Sequence, residues 1–101
     1  MARIIWSHPA LDQLSSIADF IALDNRAAAI ALVQRVFDST DRIQSFTRLG
    51  RRVPELKHSP FRQVWLQPCW IYYRIEGETI YIVHVRRAER PLRTTDLQDD
   101  K

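Results

Sequence analysis

The hydrophobic pattern of this chain changes its period near residue 60, and the change separates a helical half from a sheet half. In the first half, apolar residues recur every three or four positions, which is typical of amphipathic helices. In the second half, apolar and polar residues alternate, which is typical of strands. The pattern predicts a single α+β domain over residues 1–101.

The first half predicts a short strand and two helices. After the strand at 2–6, Ser7 can cap a helix, and Pro9 fits the first turn, where its missing N–H is harmless. Apolar spacing predicts this helix over 9–23 and a second helix over 27–45. Because the break between them is short, the two helices should form an antiparallel hairpin.

The second half predicts a loop over 46–60 and then strands over 61–67, 70–76 and 79–87. A Gly-Glu pair at 77–78 suits a two-residue hairpin between the last two strands. The predicted fold is therefore an N-terminal strand, an antiparallel helical hairpin and a three-stranded antiparallel meander. Residues 94–101 are expected to form a flexible tail.

The hairpins also predict a register. In the last hairpin, the expected pairs are Ile75 with Ile80, Tyr73 with Ile82, Tyr72 with Val83 and Ile71 with His84. In the first hairpin, Pro68 does not suit a two-residue turn, so Leu66 is expected opposite Ile71 and Trp65 opposite Tyr72.

Alternation along these strands sorts their side chains into two faces. The aliphatic face, expected to pack on the helices, holds Val64, Leu66, Ile71, Tyr73, Ile75, Ile80 and Ile82, with Arg62 and His84. The aromatic and cationic face holds Trp65, Trp70, Tyr72, Tyr81, Val83 and Val85, with Gln63, Arg74 and Arg87. Since one helical hairpin covers one side of a sheet, we expect the second face to be bare and to bind a partner. The alternative is that the segment after Ala88 folds back over it, or that its aromatic rings are half-buried there.

Charge adds to this picture because it is unevenly distributed. The net charge is +3, but residues 48–93 carry ten basic and four acidic side chains. Thirteen of the fifteen basic residues are arginines, whose planar forks suit carboxylates, phosphates and aromatic rings. The excess indicates a basic surface for an acidic or nucleic-acid partner, and the alternative is a solvated arginine-rich surface.

Other functional classes have little support in the sequence. The single cysteine excludes an internal disulfide, and neither a signal peptide nor a membrane-spanning run is present, so we expect a cytoplasmic protein. No histidine pair has metal-ligand spacing, and neither serine nor cysteine has an adjacent base in a recognisable motif. We therefore expect no metal and no cofactor.

The arginines remain as the candidate chemistry, at positions 51, 52, 62, 74, 86, 87 and 90. Arginines can stabilise a transition state that gains negative charge, so a ribonuclease is chemically admissible. It would also need a group for proton transfer, and only His84 and Glu89 lie nearby in the sequence. This weakens the prediction of an enzyme.

The chain resembles the RelE/ParE superfamily of bacterial type II toxins over nearly its whole length. The resemblance is carried by IIWSHPALDQLSSIADFIALDN, AAAIALVQRVFDSTDRI, F-x-x-LGRRVPEL, FRQVW and YYRIEGETIYIVHVRRAERPL, in this order. It implies a small antiparallel sheet with a helical hairpin on one side, and a cognate antitoxin that wraps and neutralises the toxin. A homodimer or a toxin–antitoxin hetero-oligomer is also expected.

The superfamily divides by target, and the resemblance favours one branch. ParE-like members poison DNA gyrase, whereas RelE-like members cut mRNA on the ribosome. The GR-x-x-x-E turn at 50–55 is more typical of ParE-like members. In the ribonuclease alternative, the resemblance assigns the basic roles to Arg62, Arg87 and Arg90, but the terminal Tyr or His of those enzymes has no counterpart. We therefore expect a non-enzymatic gyrase inhibitor, with a partner-binding surface of Arg51, Trp65, Trp70, Tyr72, Arg74, Tyr81, Arg87 and Arg90.

Overall fold

The structure, a computed structural model, describes residues 2–97 and has an α+β architecture. The elements, in chain order, are β1 (Arg3–Trp6), α1 (His8–Ala22), α2 (Arg26–Ser45), β2 (Arg51–Arg52), β3 (Phe61–Leu66), β4 (Cys69–Glu76), β5 (Thr79–Arg87) and a 3₁₀ helix (Thr94–Leu97). The strands form one five-stranded sheet in the order β1-β5-β4-β3-β2. Among the described residues, neither helix is long and apolar enough to cross a membrane.

Side-chain caps fix the starts of both helices. The Ser7 hydroxyl accepts a hydrogen bond from the Ala10 N–H at 3.1 Å, and Pro9 lies in the first turn of α1. The Asn25 side chain accepts from the Ala28 N–H at 3.0 Å at the start of α2. Each cap satisfies a backbone donor that has no partner within the helix, which confirms the predicted helical hairpin to within a residue or two at its ends.

The sheet is larger than the predicted meander. The N-terminal strand β1 pairs in parallel with β5, with Arg3 opposite Thr79 and Trp6 opposite Ile82. At the other edge, β2 pairs antiparallel with β3 inside the segment predicted to be a loop. A two-residue strand is too short to leave an alternating pattern in the sequence, so it could not be predicted from periodicity.

The β3–β4 hairpin has a tighter turn than the sequence predicted. Leu66 lies opposite Cys69 and Trp65 opposite Trp70, so the turn contains only Gln67 and Pro68. The peptide bond between those two residues is cis. A cis proline fits the third position of a tight turn, and the predicted register in this hairpin is therefore wrong.

A β-bulge in β5 changes which side chains share a face. Tyr73 pairs with Ile82 as predicted, but Tyr72 pairs with His84 rather than with Val83. Because β5 has one additional residue here, each side chain of β5 beyond the bulge lies on the opposite face from the one that simple alternation predicts. The predicted faces of His84, Val85 and Arg87 are wrong, because the bulge reverses the alternation.

The main core lies between the helices and one side of the sheet. Its buried sheet residues include Ile71, Tyr73, Ile80, Ile82 and Val85, and its buried helix residues include Leu14, Ile17, Leu32, Val36 and Ile43. This confirms the predicted packing of the aliphatic face on the helical hairpin.

A second, smaller core covers part of the opposite face. The buried residues are Val53, Phe61, Tyr72 and Leu97, and partly buried Leu56, Trp70, Val83 and Leu92 pack against them. The expectation that this face is bare is therefore wrong at its centre, because the loop before β3 and the segment after β5 fold over it. Thr94–Leu97 form a 3₁₀ helix rather than a flexible tail, and residues 98–101 lie outside the described part.

Candidate partner-binding site

The exposed end of the aromatic and cationic face is formed by Arg51, Trp65 and Trp70, which we call the open patch. Trp65 and Trp70 are cross-strand neighbours whose ring centroids lie 5.0 Å apart at an interplanar angle of 53°. The Arg51 guanidinium carbon lies 5.9 Å from the centre of the Trp70 ring, within cation–π range. Trp65 is 46% exposed, so the patch offers a large apolar ring beside a cation.

Gly50 fixes the backbone immediately before this patch. Its N–H donates to the Tyr73 hydroxyl at 2.8 Å, and that hydroxyl donates to the Thr47 carbonyl at 2.8 Å. A Cβ at this position would lie 2.7 Å from the Tyr73 ring and 2.9 Å from the Gln63 carbonyl. No side chain fits that space, so the glycine of the GR-x-x-x-E turn has a packing reason, and it positions Arg51.

The centre of the same face is largely buried. We call it the covered centre, and it consists of Tyr72, Arg74, Tyr81 and His84. Tyr72 is fully buried, and its hydroxyl accepts from the Arg86 Nε at 3.0 Å. The Arg74 guanidinium carbon lies 4.2 Å from the centre of the half-buried Tyr81 ring. Tyr72 and Arg74 were both expected on an exposed binding face, and in the isolated subunit neither is exposed.

His84 lies between two cavities on this face. Its Nε2 is 3.9 Å from the Asp96 carboxylate, and its ring centroid is 5.7 Å from that of Tyr72. Burial lowers the pKa of His84, and this effect outweighs the opposing attraction of Asp96. The imidazole is therefore neutral near pH 7, and only in that form can one of its nitrogens accept a hydrogen bond.

The larger of the two cavities, which we call the arginine cavity, lies between α1 and the end of β5 and has a volume of about 660 Å³. Four arginines line it, at positions 86, 87, 90 and 93, together with Asp12, Asp96 and the apolar side chains of Ile17, Phe20, Val85 and Pro91. The Arg87 guanidinium carbon lies 4.4 Å from the centre of the Phe20 ring.

The three arginines of the ribonuclease alternative do not share a site. Arg62 donates to the Gly50 carbonyl at 2.7 Å on the β2 side of the sheet, whereas Arg87 and Arg90 line the arginine cavity. Arg62 lies opposite Tyr73 and Arg87 opposite Cys69, so their partners are four positions apart on β4. The backbones of the two arginines are therefore separated by about 13 Å along the strands and by about 10 Å across two strand spacings.

Glu89 was a candidate for proton transfer, and its surroundings do not favour that role. It is exposed and accepts a hydrogen bond from Arg87. A hydrogen bond from its own backbone N–H, and the nearby Arg87, lower the pKa of this carboxyl group. It therefore remains ionised near neutral pH and is a poor acid.

Arg86, one of the candidate arginines, reaches the covered centre only because of the bulge. The sequence missed three other residues that line the arginine cavity: Phe20, Arg93 and Asp96. Phe20 appears in the sequence as one more residue of α1, and Arg93 lies beyond the last predicted strand. Asp96 belongs to the segment predicted to be flexible. No periodic pattern marks any of the three, although the sequence shows that the C-terminal segment is rich in aspartate and arginine.

Known proteins match this chain along most of its length. The family model described as ParE toxin of type II toxin-antitoxin system, parDE, matches residues 4–92. Toxin RelE2 of Caulobacter vibrioides is 28% identical over 92 residues, which cover 89% of this chain and 99% of that toxin. A solved structure described as the chromosomal ParDE TA system from P. aeruginosa has a TM-score of 0.72 at 24% identity, covering 88% of this chain and 98% of the other. The structural match establishes a shared fold. The family model, which matches most of the chain, confirms the predicted RelE/ParE superfamily.

Proposed function

This chain belongs to the ParE toxins of type II toxin–antitoxin systems, and we propose that it arrests growth by binding DNA gyrase, without catalysing a reaction, until a cognate antitoxin neutralises it. The observation that carries this proposal is the separation of Arg62 from Arg87 and Arg90. A phosphoryl-transfer site needs its charges on one phosphate within hydrogen-bond range. The backbones of Arg62 and Arg87 lie roughly 16 Å apart by strand spacing. The Arg62 guanidinium binds the Gly50 carbonyl and the Arg87 guanidinium pairs with Glu89, so the two groups do not converge on one phosphate.

The open patch supports a binding function. Tryptophan and arginine are the residue types that contribute most to binding free energy at protein interfaces. Trp65 is held against Trp70 by cross-strand pairing, and Arg51 is held by the Gly50 turn. A surface fixed in this way loses little side-chain entropy when a partner covers it. We therefore assign gyrase binding to the open patch.

A supercoiling assay with purified gyrase and relaxed plasmid tests the proposal. The wild-type protein should inhibit supercoiling and increase the amount of cleaved DNA, because a poison stabilises a complex that gyrase forms on its own. Trp65→Ala should weaken the effect by about 30-fold, since truncation of a central interface tryptophan costs on the order of 2 kcal/mol.

Arg48→Ala is the control, because Arg48 is an exposed residue outside the open patch, in the loop after α2. It should inhibit gyrase as well as the wild-type protein does. Unimpeded supercoiling at a large excess of the wild-type protein would rule out gyrase as the target.

The alternative function, cleavage of mRNA on the ribosome, is favoured by one observation. His84 and Asp96 line both cavities; the smaller cavity also contains Arg74, and the arginine cavity contains Arg86. Because burial lowers its pKa, His84 is neutral and could accept a proton from a ribose hydroxyl. The adjacent guanidinium of Arg74 or Arg86 would then stabilise the charge on the phosphate.

Primer extension on a translated message distinguishes this alternative. New cut sites that appear with wild-type protein and disappear with His84→Gln would establish the ribonuclease. Arg48→Ala again serves as the control. The gyrase proposal predicts no new cut sites with any of the three proteins.

A further inference from the structure

We propose that the arginine cavity binds an acidic segment of the antitoxin, with one carboxylate among the arginines and an adjacent apolar side chain on the cavity floor. This inference rests on the proposed function, because it takes the neutralising antitoxin as the partner. It does not require gyrase to be the target. The cavity is distinct from the open patch, which the proposal above assigns to gyrase.

The positive charge of the cavity comes from both sides of the sheet. Strand alternation places Arg86 and Arg87 on opposite faces at the end of β5, and the bulge decides which face each one takes. The next residues turn back, so that Arg90 and Arg93 complete the wall. The turn is closed by a hydrogen bond from the Arg90 N–H to the Arg87 carbonyl at 3.0 Å. Against these four arginines the lining contains two carboxylates, so the wall is cationic.

Two of the arginines are held in place before a ligand arrives. Arg86 donates to the Tyr72 hydroxyl and to the carbonyls of Ala88 and Arg90. Arg87 lies over the Phe20 ring and pairs with Glu89. These contacts fix the positions of the two guanidinium charges, so binding orders fewer side chains, although Arg87 already pairs with a carboxylate of this chain. Arg90 and Arg93 are exposed at the rim.

The remaining lining favours a peptide over a nucleic acid. Ile17, Phe20, Val85 and Pro91 form the apolar part of the lining, which an aliphatic side chain contacts well and a phosphodiester chain does not. Asp12 and Asp96 also line the cavity and would repel a run of phosphates. A single carboxylate next to an apolar residue meets less of this repulsion and matches the apolar part. The volume of about 660 Å³ is large enough for several side chains.

A titration of the ¹⁵N-labelled protein with capped peptides tests the ligand class. The probe Ser-Glu-Leu-Leu-Glu-Ser should shift the amide signals of Ile17, Phe20 and Val85. The matched peptide Ser-Gln-Leu-Leu-Gln-Ser should bind at least about tenfold more weakly, because it cannot form charge-assisted hydrogen bonds. Equal binding of both peptides would overturn the proposal. So would the same shifts with inorganic phosphate at equal concentration.

Affinity for the cognate antitoxin, expressed from the reading frame next to this one, tests the location. The double variant Arg90→Glu with Arg93→Glu should weaken binding by about 30-fold or more, because a carboxylate would then meet like charge. Arg48→Glu should stay within about threefold of the wild type. Arg90→Lys with Arg93→Lys keeps the charge and should retain most of the affinity.

Circular dichroism and thermal unfolding confirm that each variant is folded. Wild-type affinity in the Arg90→Glu, Arg93→Glu protein would overturn the proposed location. Because the readout is antitoxin binding, such a failure would leave the gyrase proposal unaffected. Conversely, a toxin that does not inhibit gyrase could still bind its antitoxin through this cavity.

Discussion

The two faces of the sheet are closed by different kinds of structure, and this decides how uniformly each is buried. On one face, α1 and α2 lie across the strands, and Ile71, Ile80 and Ile82 are fully buried. On the other face, the cover consists of the loop before β3 and the segment after β5. That cover is incomplete, so Tyr72 is fully buried whereas Trp65 on the same face is 46% exposed.

Strand alternation therefore predicts the face of the sheet on which a side chain lies, but it does not predict how exposed that side chain is. A helix covers a strip of sheet continuously, because its apolar stripe repeats every turn. An irregular segment covers only the places where its apolar residues occur, here Leu56, Leu92 and Leu97. The uncovered remainder of the face is the open patch, and the arginine cavity lies where the irregular segment meets α1.

The largest expected effect is in the helix-facing core. Ile80→Ala should lower the free energy of unfolding by about 3 to 4 kcal/mol, because the removed methyl groups leave a cavity between the sheet and the helices. Urea denaturation measures this. Ile30→Ala, at an exposed position of α2, should stay within about 0.5 kcal/mol of the wild type. Equal losses in the two variants would contradict the assigned core.

Gly50→Ala should cost about 2 kcal/mol, because its Cβ would lie 2.7 Å from the Tyr73 ring and 2.9 Å from the Gln63 carbonyl. The same variant displaces Arg51 from Trp70 and should therefore change the tryptophan fluorescence of the folded protein. Gly77→Ala is the informative control, because Gly77 has positive φ but open space around it, so any loss there comes from the backbone alone. Unchanged stability of Gly50→Ala would show that the turn can relax.

Leu97→Ala should destabilise the protein less than Ile80→Ala does, by about 1 kcal/mol, because a terminal segment can open locally while the rest of the fold is intact. Amide hydrogen exchange should accelerate over residues 88–97 and stay unchanged in α2. If exchange accelerated equally in both regions, the C-terminal segment would be an integral part of the main core, and the comparison of the two faces would fail.

The smallest effect is a pH dependence that comes from His84. Its pKa is lowered in the folded state by burial, against the attraction of Asp96 and with a smaller contribution from Arg86. The unfolded chain, with an ordinary pKa of about 6.5, then binds more protons than the folded protein in the interval between the two values. Stability should therefore fall as pH decreases through that interval.

Urea denaturation of the wild type and of His84→Gln at pH 7 and pH 5.5 isolates this contribution, because the two proteins differ only at residue 84. The decrease on acidification should be smaller in His84→Gln. A larger decrease in the variant would mean that Asp96 raises the pKa of His84 more than burial lowers it.

Much of the fold could be predicted from the sequence, because its signals are periodic or local. Helical spacing and the Ser7 cap determine α1, and the Gly77 turn sets the β4–β5 register as far as Tyr73. The bulge beyond that point depends on how β5 packs between its neighbours, and nothing in the residues from Val83 onward marks it. The cover by Leu97 likewise depends on tertiary contacts.

The candidate site, too, could be predicted only where neighbouring strands form it. Arg51 and Trp65 are exposed and Trp70 is half-buried beside them, and the strand pairing that brings the three together is local. Their role in binding stays a prediction. The positions of Tyr72 and Arg74 differ from the prediction, because residues distant in sequence bury them. The arginine cavity could not be predicted, since it requires the bulge, α1 and the C-terminal segment at once.

The measurement that tests the central claim most directly is the affinity of purified gyrase for the wild-type protein and for Trp65→Ala, paired with the unfolding free energy of each. We expect Trp65→Ala to bind about 30-fold more weakly while its stability changes by less than about 1 kcal/mol, because the removed side chain is 46% exposed and lies at the edge of the covered face. Equal affinities in the two proteins would show that gyrase does not bind the open patch, and an absence of binding in both would contradict the proposed target itself.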